Sequence, residues 1–427
     1  MEFGGAGTSD GLVPSFPPPE RPDDATPVGE PLLPSDPTPV DPERPADPGR
    51  RRLITAAAGV VVALVVGLGF VLARSDGAPP PKPDIPLDAW APYWTLEASV
   101  EAAPSRLGSM REISPFWYIA TGPDTIETDP NADQGAAERF LDIARDADVA
   151  LVPSIVDALP AGGMASILAE PDTRTRHVDA IVAFAEDGDF DGIDLDYEQF
   201  AFADGRDTWA ATRPNWVAFV EELGAALRND GRTLTVSIPF VYDDERTPDS
   251  GYWVYDHGAI APHVDRIRIM AYDYSVGAAG PIAPLDFVQR AIEGTVEAVG
   301  SPDKLVLGLP AYGRNWPAGT TGTCPPDTEL DGVVSVNNRT VDDLIERRQA
   351  TPQFDEATGE SSFTYSLEYG EGDAQCVHTR RVHYVDADGV ALRMDMARAA
   401  QLDGVALWAF GFDDDAVWDA ILPTTSS

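Results

Sequence analysis

Residues 190–200, which read FDGIDLDYEQF, constrain the fold of this chain more than any other stretch. Three acids, Asp194, Asp196 and Glu198, alternate there with apolar residues. Because successive side chains of a strand point to opposite faces, this alternation places the three carboxyls on one face and the apolar side chains on the other. The pattern therefore predicts a strand with an acidic face.

The segments on either side of this strand, 174–185 and 215–227, carry apolar residues at helical spacing. A strand between two helices is typical of a parallel sheet covered on both faces, where even the polar side of the strand is enclosed. Enclosed carboxylates are costly to remove from water, so such a cluster persists when it shares protons, meets a cation or acts on a substrate. The alternative is a surface strand with its acids in water. The flanking helices favour an active site.

The charge and the cysteine count exclude several classes of function. The chain of 427 residues has a net charge of −41 and a sequence pI near 4.2, whereas nucleic-acid backbones select basic proteins, so we expect no nucleic-acid partner. Its two cysteines lie in no CxxC or Cys/His cluster and its five histidines are scattered, which argues against a zinc site. No metal or cofactor is expected.

The N-terminal region predicts a membrane anchor. Residues 1–52 are rich in proline and acids, which is typical of a disordered tail. Residues 53–73 (LITAAAGVVVALVVGLGFVLA) carry no charge and, at ~1.5 Å per residue, can cross the ~30 Å of a bilayer core as a transmembrane helix. A proline-rich linker, 74–86, follows. A buried core helix and a cleavable signal peptide are the alternatives for 53–73.

The three arginines at 50–52, just before this apolar run, predict its orientation. Positive charges stay on the cytoplasmic side of a membrane. We therefore expect a single-pass protein of the cell membrane, with a cytoplasmic N-terminus and an extracytoplasmic catalytic domain.

Residues 87–424 alternate between strand-like and amphipathic segments and predict an α/β fold, the (β/α)8 TIM barrel. The candidate strands are Ala89–Tyr93, Ile113–Ala120, Ala150–Ile155, Gly192–Tyr197, Leu234–Pro239, Arg266–Tyr272, Leu305–Pro310 and Val405–Phe410. A doubly wound open sheet is the alternative, but it would need a glycine-rich phosphate turn after an early strand, and the sequence has none.

The segment from about 317 to 383, between the seventh strand and its helix, is rich in turn and β formers and predicts a small α+β insertion. It contains both cysteines, Cys324 and Cys376. Outside the cytoplasm these can form a disulfide, which closes a loop of about 50 residues and contributes roughly 4 kcal/mol on the chain-entropy model. Two free thiols are the alternative.

Asp196 and Glu198 have the spacing of a catalytic carboxyl pair at the C-terminal end of a barrel strand, where active sites of this fold are built. Two residues apart on one face, their Cα atoms lie ~6.6 Å from each other. A like charge at that distance, together with burial, raises the pKa of one carboxyl. Glu198 can then stay protonated near neutral pH and donate a proton to a leaving oxygen, as a glycosidase acid does.

Four stretches, in the order of the barrel strands, resemble the motifs of glycoside hydrolase family 18, the chitinase-like enzymes. Residues 191–198 (DGIDLDYE) match the DGxDxDxE signature of that family, and 270–273 (MAYD) resemble its MxYD at the end of the sixth strand. Residues 307–313 (LGLPAYG) look like its seventh-strand segment, and 404–408 (GVALW) fit its eighth strand. The resemblance extends over roughly 87–421.

The resemblance implies substrate-assisted retaining hydrolysis of polysaccharides that contain N-acetylglucosamine, in which the acetamido oxygen of the sugar attacks the anomeric carbon. Glu198 would protonate the glycosidic oxygen and then activate water. Asp196 would hold the acetamido N–H, with Asp194 sharing its proton and charge. Tyr272 would hydrogen-bond the acetamido oxygen, and Trp408 would offer a face on which the sugar stacks.

Met270 and Asp273 are further candidates on the substrate side of the site. Core filling is the alternative for Met270, and a turn of the chain is the alternative for Asp273. Asp191 is an odd number of residues away from the three acids, so its side chain points to the other face of the strand. We expect it to serve the turn or the packing of the strand.

One departure from the family bears on the substrate. Secreted chitinases carry an SxGG segment at the third strand, whereas 153–157 read PSIVD here, without a glycine pair. The sequence therefore looks closer to the bacterial cell-wall and spore-cortex branch, which cleaves peptidoglycan. The leading hypothesis is a membrane-anchored hydrolase of β-1,4-linked N-acetylglucosamine glycans, chitin or peptidoglycan. The alternatives are a non-hydrolytic, lectin-like glycan-binding protein on the same barrel and a structural envelope protein whose tail recruits cytoplasmic partners.

Overall fold

The computed structural model describes residues 83–241 and 251–422. The predicted tail, the predicted transmembrane helix and residues 74–82 of the predicted linker lie outside these ranges. Within them, none of the helices combines the length and the apolar character needed to cross a bilayer.

The strands of the described residues form two sheets. In chain order they are β1 (Leu87–Pro92), β2 (Glu112–Phe116), β3 (Tyr118–Gly122), β4 (Thr125–Thr128), β5 (Ala150–Leu151), β6 (Ser154–Asp157), β7 (Gly192–Asp196), β8 (Thr233–Ile238), β9 (Arg266–Ile269), β10 (Leu305–Pro310), β11 (Tyr312–Gly322), β12 (Val334–Asn337), β13 (Gln353–Asp355), β14 (Glu360–Glu371), β15 (Ala374–Tyr384) and β16 (Gly404–Trp408).

The first sheet is a TIM-type barrel of parallel strands, with β4 added as an antiparallel hairpin partner of β3. From β6 the pairing runs through β7, β8, β9, β10, β16, β1 and β2 to β5. The last strand returns to the first, where Leu87 lies opposite Val405. The strands β2 and β3 are consecutive pieces of one barrel position, and β5 and β6 are pieces of the next, so the circuit closes.

Two of the predicted strands are interrupted. The predicted strand Ile113–Ala120 divides at Trp117, whose carbonyl accepts a hydrogen bond from the Asp129 N–H at 2.8 Å instead of joining the barrel ladder. The predicted strand Ala150–Ile155 divides at Val152 and Pro153. Proline has no N–H to donate to a ladder, and its carbonyl accepts from the Asp194 N–H at 2.9 Å.

Helices cover the barrel on the outside. They are Leu96–Arg106, Gln134–Asp146, Gly163–Ala169, Pro171–Asp187, Gln199–Phe202, Arg206–Asn229, His257–Ile260, Leu285–Val299, Ala387–Ala399 and Asp415–Ile421, with 3-10 turns at Tyr93–Thr95, Leu107–Ser109, Gly251–Tyr255 and Ala261–His263. A further helix, Asn338–Arg348, belongs to the insertion described below. Because helices lie outside and side chains fill the barrel inside, the strands β7, β10 and β16 are buried along their whole length.

The second sheet is the insertion. It has the antiparallel order β12-β11-β15-β14-β13 and stands between β10 and the helix Ala387–Ala399. It has a small hydrophobic core of its own (Val336, Val341, Phe363, Val382 and Tyr384). The sheet spans 312–384, slightly more than the 317–383 expected from the sequence, because β11 continues almost directly from β10. The disulfide between Cys324 and Cys376 is present, so the free-thiol alternative is wrong.

A buried carboxyl fastens this insertion to the barrel. Glu360, at the start of β14, accepts hydrogen bonds from the backbone N–H groups of Ile282 (3.0 Å) and Ala283 (2.7 Å). These two residues close the loop that follows β9. The insertion therefore supports the loop at the C-terminal edge of the barrel.

Candidate active site

The acidic strand lies in the barrel wall as β7, and its three acids are all buried. The strand ends at Asp196, one residue earlier than predicted, and Glu198 immediately precedes the short helix Gln199–Phe202. Asp157, at the end of the neighbouring β6, holds this junction, because its carboxyl accepts the backbone N–H groups of Glu198 (2.8 Å) and Gln199 (3.1 Å). Glu198 is thus positioned from two adjacent strands.

Asp194 lies inside the barrel and accepts hydrogen bonds from four side chains. Its Oδ2 accepts from Trp90 Nε1 at 3.0 Å, Ser154 Oγ at 2.6 Å and an Arg268 guanidinium nitrogen at 3.1 Å. Its Oδ1 accepts from Ser237 Oγ at 2.7 Å. These donors come from four different barrel strands, so barrel closure alone assembles them.

Asp196 and Glu198, in contrast, have unused hydrogen-bonding capacity. Among the described residues, the two carboxyl oxygens of Glu198 and the Oδ1 of Asp196 have no hydrogen-bond partner of good geometry. The two carboxyls are nevertheless close enough for each to shift the pKa of the other. Burial, followed by the charges of Asp194 and Asp157, raises the pKa of Asp196 well above its ordinary value. Burial, followed by the charge of Asp196, does the same to the pKa of Glu198. A carboxyl with a raised pKa and no internal partner is available to protonate a bound substrate.

Tyr272 and Asp273 follow β9 at the same edge of the barrel. Burial and then the charge of Asp196 raise the pKa of the Tyr272 hydroxyl, so the hydroxyl and the Asp196 carboxyl are close enough to interact electrostatically. Gly308 on β10 makes room for the ring, since a Cβ there would lie 2.8 Å from Tyr272 Cε1 and 2.9 Å from the Ile269 carbonyl oxygen. The site residue Tyr272 is therefore packed against backbone.

Asp273 has a left-handed backbone (φ 58°) and does turn the chain, but its carboxyl has a second role. Its Oδ1 accepts from Tyr312 Oη at 2.6 Å and from the Arg314 guanidinium at 2.7 Å. Because Tyr312 and Arg314 lie at the start of β11, this contact joins the loop after β9 to the insertion. The charge of Asp273 also contributes to the raised pKa of Glu198.

Trp408 ends β16, and 8% of its surface is exposed. Its ring is nearly parallel to that of Tyr272, with an interplanar angle of 23° and centroids 6.5 Å apart, and it meets Trp90, Trp94 and Phe116 edge-on. The structure thus brings Trp408 beside Tyr272. Met270, buried in the hydrophobic core, has the surroundings of the core-filling alternative.

Several residues of the site were not singled out from the sequence. Asp157 and Arg268 are the most informative of them. An acid at the end of a strand and an arginine between the two isoleucines of β9 (RIRI) are visible signals, because buried charges occur mainly where they are paired or used. Trp90, Ser154 and Ser237 carry no such signal. Asp191, on the other face of the strand from the three acids, accepts the backbone N–H of Leu151 in β5 at 2.7 Å and so helps to hold the strand in place.

Carboxyls dominate this site. In the part of the chain that the structure describes, no group of three or more His, Cys, Asp or Glu side chains could hold a metal ion. The carboxyls that lack partners are those with raised pKa values, so proton transfer is the chemistry that this arrangement supports.

Comparisons with known proteins point to the same chemistry. The family model "Glycosyl hydrolases family 18" matches residues 113–413. The uncharacterized glycosylase YvbX of Bacillus subtilis is 24% identical over 61% of this chain and 69% of its own length. The putative sporulation-specific glycosylase YdhD of the same organism is 27% identical over 57% of this chain, but the match spans only about half of that relative (52%).

Solved structures share the fold. A chitinase from Chromobacterium violaceum superposes with a TM-score of 0.63 at 25% identity, over 79% of this chain and 98% of the other. The spore cortex-lytic enzyme SleL of Bacillus megaterium superposes with a TM-score of 0.62 at 17% identity, over 81% and 75%, which is a likeness of fold alone. With the family model matching most of the barrel, the chain belongs to glycosyl hydrolases family 18 and is a chitinase-like glycosidase.

Proposed function

We propose that this protein cleaves β-1,4-linked glycans containing N-acetylglucosamine by substrate-assisted retaining hydrolysis. The observation that carries the proposal is the state of Glu198. Its side chain is buried, both of its oxygens lack partners among the described residues, and its pKa is raised well above the ordinary value. A glycosidase acid needs these properties, since it must carry a proton at neutral pH and deliver it to a leaving oxygen.

In the first step Glu198 gives its proton to the glycosidic oxygen. The bond between that oxygen and the anomeric carbon breaks, and the acetamido oxygen of the same sugar forms a new bond to the anomeric carbon. The resulting oxazolinium ion is positively charged, and Asp196 stabilises it as a carboxylate that accepts its N–H. Tyr272 hydrogen-bonds the acetamido group, and Trp408 stacks on the sugar.

In the second step Glu198, now a carboxylate, takes a proton from water. The water oxygen attacks the anomeric carbon, and the bond to the acetamido oxygen breaks. Two displacements at one carbon retain its configuration, and one water is consumed for each linkage cleaved. No second carboxylate serves as nucleophile, which leaves Asp196 free to stay close to the acetamido nitrogen.

Between chitin and peptidoglycan we favour peptidoglycan or its fragments. The third-strand segment 153–157 lacks the glycine pair of secreted chitinases. One of the bacterial proteins that the chain resembles in sequence, at 27% identity, is described as a putative sporulation-specific glycosylase. The uncharged run 53–73 and the arginines before it support an anchor in the cell membrane, with the barrel outside. An anchored barrel would remain near the cell's own wall.

Product analysis tests this proposal. The full chain is incubated with chitooligosaccharides and, separately, with a muropeptide polymer, and the products are identified by mass spectrometry beside those of Glu198→Gln. We expect shortened glycans from the natural protein, with larger yields from the muropeptide polymer, and none from the variant. Equal products from both proteins would overturn the catalytic assignment. Binding of both glycans without turnover would instead establish the lectin-like alternative.

A further inference from the structure

A cavity of about 230 Å³ lies where the insertion meets the barrel, and none of the residues that line it belongs to the catalytic site. Three helices begin around it, namely Asn338–Arg348 of the insertion, Ala387–Ala399 and Asp415–Ile421. The polar side chains of its lining are those of Asn338, Asp342, Tyr384, Asp386, Asp388 and Asp414. We call it the Asn338 cavity. Because sites for drug-sized ligands measure at least ~300 Å³, this cavity suits one small chemical group rather than a length of polymer.

Asn338 brings to this cavity a side-chain amide whose hydrogen bonds are not made within the described residues. Only 3% of the residue is exposed, and neither its Oδ1 nor its Nδ2 has a hydrogen-bond partner. Buried polar side chains in folded proteins nearly always have partners, because burial removes the hydrogen bonds to water. The amide is therefore available to a group that enters the cavity, as an acceptor through Oδ1 and as a donor through Nδ2.

The carboxyls of the lining give the cavity a negative charge. Of the described residues that line it, none is a lysine or an arginine. Asp386 and Asp414 each cap a helix by accepting a backbone N–H of its first turn, at 3.0 Å and 2.8 Å, whereas Asp342 and Asp388 are exposed. A helix N-terminus carries about half of a positive charge, so three of them offset less than half of the charge of four carboxylates. The cavity therefore attracts a cation.

The carboxyls also lie close enough to act on their neighbours. Burial and then the charge of Asp386 raise the pKa of the Tyr384 hydroxyl to about 12, and the charges of Asp342 and Asp414 contribute. Burial raises the pKa of Asp414 as well, and the charge of Asp342 adds to this effect. A cation between Asp342 and Asp414 would reduce the repulsion between them.

The chemistry of the lining favours an organic cation over a metal ion. No set of three or more His, Cys, Asp or Glu side chains within 83–241 and 251–422 could hold a metal ion. A calcium ion, moreover, takes about six to eight oxygen ligands. A primary ammonium group needs fewer partners, because it is a compact cation with three N–H donors. Two carboxylates and the Oδ1 of Asn338 would supply one acceptor for each donor.

Backbone hydrogen bonds connect the Asn338 cavity to the edge of the barrel where the catalytic acid lies. The N–H of Asn338 donates to the Ala311 carbonyl at 3.3 Å, and the N–H of Ala311 donates to the Trp408 carbonyl at 2.7 Å. Trp408 ends β16, and Asp414 follows the loop after that strand. The cavity is therefore at the C-terminal edge of the barrel strands, where the glycan would bind.

We propose that the Asn338 cavity binds a primary ammonium group carried by the glycan substrate. The Oδ1 of Asn338 and the carboxylates of Asp342 and Asp414 accept hydrogen bonds from the ammonium, and the Nδ2 of Asn338 donates to an oxygen beside it. A glycan can carry this group on a de-N-acetylated glucosamine unit or on an attached peptide with a free amine. The inference rests on the proposed function in one respect, that the carrier of the amine is the glycan.

Nuclear magnetic resonance of the Asn338 side-chain amide in the full chain tests the proposal. The signal is assigned by its absence from Asn338→Asp. Two pairs of probes are titrated separately: glucosamine beside N-acetylglucosamine, and the tripeptide alanyl-lysyl-alanine beside the same peptide with its lysine amine acetylated and its N-terminus blocked in both. We expect a free amine to shift the signal and its acetylated counterpart to leave it in place. None of these probes has a glycosidic linkage to cleave, so the result is independent of whether the proposed hydrolysis is correct.

The two pairs distinguish the sources of the amine. A shift with glucosamine supports the de-N-acetylated sugar as the ligand, and a shift with the peptide supports the attached peptide. The absence of a shift with both amines would overturn the proposal, as would equal shifts with a free amine and its acetylated counterpart. Calcium chloride is a further probe, and a shift at lower concentration than either amine requires would show a metal site instead.

A pair of double variants tests the role of the carboxylates. Asp342→Asn combined with Asp414→Asn removes two charges, and asparagine at 414 can still cap its helix. We expect the affinity for the amine probe to fall by about 10-fold, because both charged partners of the ammonium are lost.

Asp343→Asn combined with Asp415→Asn is the matched control. It removes the same charge from the adjacent positions, which do not line the cavity, although Asp415 pairs with Arg106 at the surface. The control should keep its affinity within about twofold, since exposed charges outside the cavity interact weakly with the probe. Equal losses in the two double variants would show that the overall surface charge attracts the amine, which contradicts a specific site.

Discussion

Gly308 on β10 leaves room for the ring of Tyr272, and replacing it by alanine tests whether the position of that ring matters for catalysis. The new methyl group would lie 2.8 Å from Tyr272 Cε1 and 2.9 Å from the Ile269 carbonyl oxygen, closer than carbon atoms normally approach either. The carbonyl belongs to β9, which pairs with β10, so it cannot move without disturbing the ladder. The tyrosine ring must therefore shift.

The two close contacts set the expected loss of stability and of kcat in Gly308→Ala. Overpacking a core by one methyl group costs about 1–3 kcal/mol of the free energy of unfolding. A shift of a catalytic group by ~1 Å can reduce the rate by ~10²-fold. We expect Gly308→Ala to reduce kcat by about 10- to 100-fold with a much smaller change of KM, because the transition state depends on the tyrosine more than binding does.

The assay measures kcat and KM on chitooligosaccharides and the free energy of unfolding in urea. Gly135→Ala is the control, since a Cβ at this exposed start of the helix Gln134–Asp146 meets no atom closer than 3.4 Å. The control should retain both activity and stability. A folded Gly308→Ala protein with kcat within about twofold of the natural value would refute the reasoning.

Three further predictions concern the Tyr272 hydroxyl, the Asp157 carboxyl and the disulfide. Tyr272→Phe removes only a hydroxyl. Because one preorganised hydrogen-bond donor contributes roughly 10²-fold to a rate, we expect kcat to fall by roughly 10²-fold with little change in urea unfolding. An unchanged kcat would contradict the role of the hydroxyl. Burial raises the pKa of Asp157 to about 7 in the folded protein. The folded state therefore holds this proton more tightly than the unfolded state does, and the free energy of unfolding that this contributes is fully present below about pH 4 and is lost as the pH rises to about 7. The stability advantage of the natural protein over Asp157→Asn should accordingly shrink between pH 4 and pH 7 in urea titrations, and an advantage that grows would contradict the raised pKa. Replacing both Cys324 and Cys376 by serine should lower the free energy of unfolding by about 2–5 kcal/mol, and a loss that differential scanning calorimetry cannot detect would show that the disulfide does not constrain the unfolded chain.

The strands and the acids could be predicted from the sequence because their signals are local. The alternation of Asp194, Asp196 and Glu198 is readable within one strand, and the flanking apolar periodicities indicate the helices that enclose it. The insertion is also visible, through its turn formers and its two cysteines. Such features depend on neighbours in the chain.

The contacts of Asp194 could not be predicted, because they depend on barrel closure. Trp90, Ser154, Ser237 and Arg268 come from four strands far apart in sequence, and the register of the strands alone decides which of their side chains meet. The break at Pro153 is different, since proline inside a predicted strand is itself a warning. The break at Trp117 has no local signal, because it follows from a hydrogen bond to Asp129 across a hairpin.

The central claim is that Glu198 protonates the leaving oxygen, and the dependence of the rate on the leaving group tests it most directly. The value of kcat/KM is measured for a chitooligosaccharide, whose leaving alkoxide needs a proton, and for the dinitrophenyl glycoside of the same sugar, whose leaving phenolate does not. General acid catalysis contributes roughly 10²–10⁴-fold, so Glu198→Gln should lose at least ~10²-fold more activity on the oligosaccharide than on the dinitrophenyl glycoside. Equal losses on the two substrates would contradict the assignment of Glu198 as the acid.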